Sequence, residues 1–133
     1  MAASKGSFQT GSTRGRRVRI TAVDGSGGPA GASIKVFFNG ADAGLLDLGT
    51  GTSDPVSIKV SDPNCSIELE ASYAGQTLRR ELPPSLDHVT LRFSGVMRFA
   101  GPRRPLATCP DGTSGSPCVQ CRDGTGRTWE MCC

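Results

Sequence analysis

Five of the six cysteines fall within the last 25 residues: Cys109, Cys118, Cys121, Cys132 and Cys133. Sulfur at this density can hold a metal, cross-link the chain, carry out redox exchange or take a lipid. The spacing contains a small repeat: CPDGT begins at Cys109 and CRDGT at Cys121, and each is followed by another cysteine, Cys118 and Cys132. Asp-Gly-Thr is a tight-turn sequence. A cysteine just before such a turn can aim its sulfur at the turn's own N–H groups, which stabilises the thiolate that a metal requires. With Cys118 and Cys121 forming a C-x-x-C pair, the segment offers Cys109, Cys118, Cys121 and Cys132 as a four-sulfur set, and Cys133 can replace Cys132. Zn²⁺ suits any four of these, because it accepts thiolates tetrahedrally.

The energetics permit more than one answer. A structural zinc contributes about 10–16 kcal/mol in finger-sized peptides, ample to order a segment this short. Disulfides, at roughly 2–5 kcal/mol each, would also suffice but require an oxidising compartment. A thioredoxin-type exchange site wants its first cysteine at a helix N-terminus in a βαβ setting, and the pattern here supplies neither. The terminal Cys132–Cys133 pair is similar to doubly prenylated Rab GTPases, but no GTPase sequence precedes it.

The compartment therefore decides the chemistry. The N-terminus lacks the run of about 7–15 apolar residues that a secretory signal needs, and no segment approaches the roughly 20 of a membrane span. With Met1 as the native start, these features predict a cytoplasmic protein and a zinc site. Disulfide-bonded cysteines would instead imply an extracellular one.

Elsewhere, candidates for chemistry are few. Cys65 falls on the apolar face of a strand pattern and reads as a buried, inert thiol. His88 is the one histidine, with no carboxylate or cysteine at a ligand-like spacing. The carboxylates form no calcium loop. Catalytic residues are therefore not expected. Trp129, Arg103 and Arg104 are candidate partner contacts, with Trp129 either capping the metal site or facing a partner. The formal charge of +3 is mild, and the arginines around the tail and linker read as solvated. Nucleic acid stays a possible partner but is not favoured, since aromatics make up only 5% of the chain and leave few stacking platforms.

The elements that would carry these residues are strands. Eighteen glycines and nine prolines signal many turns. RRVRITAV alternates Val18, Ile20 and Ala22 with polar residues, and the same period of two recurs in SIKVFF, PVSIKV, CSIELEASY and HVTLRF. GLLDL and TLRREL complete about seven short strands at 8–12-residue spacing, the pattern of an all-β antiparallel sandwich. The divisions expected are a flexible basic tail (1–16), a β-sandwich (17–94), a linker (95–106) whose Val96 to Phe99 run could alternatively form a final short strand, and a Cys-rich zinc-knuckle-like extension (107–133). That extension has little apolar content beyond Leu106, Val119, Trp129 and Met131, which predicts that it cannot fold on burial alone.

Two resemblances add to this reading. VRITAVDGSGGPAGASIKVF, with the turn residues Asp24, Gly27, Pro29, Gly31 and Ala32 and the later Tyr73 and Gly75, resembles transthyretin-like domains of the carboxypeptidase-regulatory kind. It spans residues 17–94 and implies a seven-stranded accessory or adhesion module without activity. CVQCRDGTGR resembles half of the zinc region of DnaJ-type co-chaperones and implies metal-ligand roles for Cys118 and Cys121. The sequence thus predicts a non-enzymatic protein-interaction module with a zinc-stabilised tail. Its alternatives are a secreted, disulfide-stapled adhesion or toxin-like domain and a nucleic-acid-binding zinc protein.

Overall fold

The alternation seen in the sequence becomes burial in the computed structural model, which describes residues 15–49, 55–95, 105–115, 118–124 and 126–133. Val18 and Ile20 of the first strand, Ile34 and Val36 of the second, and Ile58, Ile67 and Leu69 of later ones are fully buried. The described residues form eleven strands and no helix: β1 (Arg16–Val23), β2 (Ser33–Phe38), β3 (Ala41–Asp47), β4 (Val56–Val60), β5 (Ile67–Tyr73), β6 (Gln76–Leu82), β7 (His88–Arg92), β8 (Leu106–Thr108), β9 (Ser114–Gly115), β10 (Cys118–Arg122) and β11 (Thr128–Cys132). The basic tail and most of the expected linker, with its Val96–Phe99 run, lie outside the described residues. So do Arg103 and Arg104.

Two sheets share one core. Sheet A runs β9-β8-β3-β2-β5-β6 and sheet B runs β10-β11-β4-β1-β7. The pairings are antiparallel except β1 with β7, where Arg19 to Val23 run parallel to His88 to Arg92. The fold is all-β as expected, but with four strands more than the seven anticipated, and those four come from the Cys-rich segment. β8 and β9 extend sheet A beyond β3, and β10 and β11 extend sheet B beyond β4.

What docks this segment is burial that its sparse apolar content concealed. Trp129 and Met131 alternate on β11 and are 5% and 0% exposed; Val119 and Cys121 do the same on β10 at 7% and 4%. Trp129 meets Phe38 of the opposite sheet edge-to-face, with ring centroids 5.2 Å apart and planes at 85°. Its Nε1–H donates to the Ala43 carbonyl at 3.0 Å. That carbonyl is available because the β2–β3 register shifts between Val36 and Phe37, leaving Ala43 without an opposite number. Such a bulge re-aims the backbone it interrupts. Gly44 follows at φ +125°, and a Cβ there would lie 2.5 Å from the Met131 methyl and 2.4 Å from the Thr108 carbonyl. Glycine there makes room for the Met131 side chain of the opposite sheet and for the backbone of β8.

The far side of the sandwich is tied by a buried cation. Arg16, 6% exposed, donates from its guanidinium to the carbonyls of Cys65 at 2.9 Å, Leu82 at 3.0 Å and Pro83. It thereby joins the start of β1 in sheet B to the ends of sheet A strands. No carboxylate accompanies it among the described residues, so carbonyl dipoles alone solvate the charge.

Replacing Trp129 separates its two contributions. Trp129→Phe keeps an aromatic body and loses the bond to Ala43, and it should cost about 1–2 kcal/mol in chemical denaturation. Trp129→Ala also empties the core and should cost about 3–5 kcal/mol. A change near zero for both would mean that the C-terminal hairpin is not packed as described.

Candidate functional site

Strand geometry determines what the cysteines can do. Side chains on a strand alternate between its faces, so residues three apart point to opposite sides. Cys118 and Cys121 both lie on β10, where Cys118 is exposed and Cys121 buried. Cys132 and Cys133 are adjacent and diverge in the same way. No four of Cys109, Cys118, Cys121, Cys132 and Cys133 can converge on one ion from these positions.

Instead the sulfurs pair. Cys109, at the end of β8 in sheet A, is bonded to Cys121 of sheet B with Cα atoms 5.6 Å apart. Facing sheets ordinarily sit about 10 Å apart, so the two sheets converge at this edge. Gly115 reports the same closeness, since a Cβ there would lie 2.5 Å from the Cys118 carbonyl. The second bridge joins Cys118 to Cys132, directly opposite each other in the β10–β11 hairpin, with Cα atoms 4.1 Å apart. The expected zinc site is therefore a pair of interlocked disulfides, and four of the five candidate ligands have no free thiolate. Glu130 brings a carboxylate within 4.8 Å of the Cys118 and Cys132 sulfurs, but those sulfurs are spent on each other. The cytoplasmic expectation falls with the zinc, because disulfides persist in oxidising surroundings and are reduced in the cytosol.

At both Asp-Gly-Thr turns it is aspartate rather than sulfur that accepts from the backbone N–H groups. Asp111 accepts from the Thr113 N–H at 2.9 Å, and these Thr113 hydrogen bonds hold its carboxyl below the usual range. Asp123 accepts from the Arg127 N–H at 3.0 Å. Each turn closes a hairpin, β8–β9 or β10–β11, and so sets Cys109 or Cys121 beside the turn.

Two thiols remain, Cys65 and Cys133. Cys65 is 1% exposed. Burial pushes its thiol up, against the opposing pull of Arg127, whose Nη1 lies 3.7 Å from the sulfur. Cys133 packs inward beside the Asp47 carbonyl at 3.7 Å. Burial, aided by the Asp47 charge, pushes it up to about 11. Neither is a nucleophile near neutral pH. His88 is exposed on β7 and shares a 3.0 Å hydrogen bond with the Thr21 hydroxyl. Trp129 lies in the core.

The outer faces of the two sheets differ in charge. Sheet A carries Glu68, Glu70 and Glu81 with Lys35 and Arg79, and Arg79 is paired to Glu68 at 3.2 Å and to Glu70 at 3.4 Å. Sheet B carries Arg17, Arg19, Lys59, Arg92 and Arg122, all exposed, and Glu130 is the one carboxylate on its outward strand positions. Among the described residues none of those five cations makes an ion pair. In the sequence the arginines near the tail read as solvated, and this convergence does not show, because the five lie on four strands far apart in the chain.

The free thiols give a direct check. In the folded protein, alkylation of Cys133 should accelerate with a midpoint near pH 11, above the ordinary thiol range near 8.5. It should shift to that ordinary range on unfolding in denaturant, as followed by mass of the modified peptide; a midpoint near 8.5 in folded protein contradicts the half-buried placement beside Asp47. Against known proteins, neither a protein-family model, nor a curated protein, nor a solved structure matches this chain.

Proposed function

We propose that this chain is a non-catalytic binding module of an oxidising compartment, a β-sandwich whose C-terminal hairpins are stapled by disulfides for adhesion to a partner. The observation that carries this reading is the Cys109–Cys121 bridge. It is 5% and 4% exposed at its two ends and joins one sheet to the other. A bond in that position acts on the whole sandwich, so the reducing cytosol would be a poor setting for it.

The second bridge interlocks with the first along the chain, since Cys118 falls inside the 109–121 loop and Cys132 outside it. Neither loop can open fully while the other is closed. A small sandwich with one core gains most from such staples. The resemblance of residues 17–94 to transthyretin-like accessory domains points the same way. The absence of a catalytic role is argued from chemistry: the free thiols are held protonated, and the one histidine is bonded to a threonine hydroxyl. The nucleic-acid-binding zinc alternative loses its metal to the disulfides. Among the described residues no helix is long and apolar enough to cross a membrane.

Intact-mass measurement of protein isolated without reductant, from its native compartment, tests this reading. Two bridges predict a mass lower by four hydrogens than the fully reduced chain. Reductant should then lower the unfolding free energy by about 2–5 kcal/mol per bridge. A native protein with all six thiols free, and a melting curve indifferent to reductant, would overturn the proposal.

A further inference from the structure

The unpaired cations of sheet B form a line, and the strand registers define its path. Arg122 stands at one corner on β10. Glu130 of β11 faces Lys59 of β4, and Lys59 faces Arg17 of β1. Arg19, two residues along the same strand, faces His88 of β7, and Arg92 ends that strand at the opposite corner. With strands about 4.8 Å apart and a rise of about 3.4 Å per residue, this diagonal is roughly 30 Å long. A groove of about 460 Å³ opens at its first corner, lined by Gly15, Lys59, Ser61, Arg122, Thr128 and Glu130 among others. Hydroxyls of Ser57, Thr21 and Thr90 lie on the same outward rows beside the cations.

We infer that this diagonal band is a binding surface for a linear anionic polysaccharide bearing sulfate or carboxylate groups. The inference rests on the oxidising-compartment reading above, since extracellular polymers of this kind are what such a face would meet. Four of the five cations are arginines, whose planar forks match sulfate and carboxylate in bidentate fashion. Among the described residues none of the five is ion-paired, which leaves the four arginine forks open to a ligand, while Lys59 stands opposite Glu130. The exposed large hydrophobic residues of the described chain are Leu45 and Leu106, and both lie on the strands of sheet A. The band therefore offers a lipid surface nothing to insert. Its outward rows carry no Phe, Tyr or Trp, and the His88 ring is bonded to the Thr21 hydroxyl, so single-stranded nucleic acid would find few stacking platforms. A narrow cationic diagonal, interrupted on β11 by Glu130 and Thr128 and edged by neutral hydroxyls, suits a thin extended polymer.

The test uses the full-length oxidised protein, its two bridges first verified by mass. Titration calorimetry is run with heparin oligosaccharides, neutral dextran, a double-stranded DNA oligonucleotide and phosphatidylserine vesicles. Binding to heparin should weaken linearly with the logarithm of salt, as counterion release requires, and dextran should not bind. Arg17→Ser/Arg19→Ser should weaken heparin binding on the order of ten-fold, with Arg92→Ser adding to the loss. Arg79→Ser on the opposite sheet should leave it unchanged. Unaltered melting temperatures would show that these exposed changes spare the fold. The inference is overturned by heparin binding that is absent or equally sensitive to Arg79→Ser. It is also overturned by DNA or vesicles binding as tightly as heparin. Verified disulfides with no heparin binding would remove this inference and leave the stapled-module reading standing.

Discussion

Everything in this sandwich depends on closing one edge, where Trp129 enters between the sheets and the Cys109–Cys121 bond holds them together. The indole spans both: it belongs to sheet B, packs on Phe38 of sheet A and donates to the carbonyl that the β3 bulge turns toward it. Burying a ring of this size contributes several kcal/mol, and the bridge adds about 3 kcal/mol for a loop of this length. The glycine at position 44 makes room for Met131, two residues beyond Trp129 on the same strand. The opposite edge has no covalent tie and relies on Arg16 reaching across to three carbonyls. The desolvation cost of a charged group there offsets much of what its hydrogen bonds contribute, which places the weight on the C-terminal side.

The main strands were legible because one face of each is buried and the other wet. RRVRITAV, SIKVFF, VSIKV and IELEASY each put their apolar residues into the core at period two. The C-terminal part was misread for a physical reason. Counting apolar residues per segment treats cysteine as chemistry, whereas Cys109 and Cys121 here are 5% and 4% exposed and fill core positions. With them included, CVQCR and TWEMC alternate as strongly as any strand, and DGTGR between them is a hairpin turn. The same alternation rules out a shared metal for Cys118 and Cys121. The parallel β1–β7 pairing was not readable, because strand order is set by long-range packing rather than by local pattern.

Charge tells a similar story of local visibility and global placement. Arg17 and Arg19 are conspicuous in the sequence, while Lys59, Arg92 and Arg122 look unremarkable there. Their meeting on one face follows from the order β10-β11-β4-β1-β7. On the other face Arg79 is neutralised by Glu68 and Glu70. Its aromatic Phe37 is covered by Lys35 and Arg79, whose cationic groups lie 5.9 and 6.0 Å from the ring centroid. Sheet A thus balances its central arginine with two carboxylates, whereas the outward cations of sheet B face a single carboxylate.

Hydrogen exchange of the oxidised protein measures most directly whether the Cys-rich segment belongs to the sandwich core. Amides of Val119, Trp129 and Met131 should be protected to the same degree as those of Val18, Ile58 and Leu69, opening only with global unfolding. Rapid exchange at the three C-terminal positions, with the other three still protected, would contradict the account and make the segment an appendage.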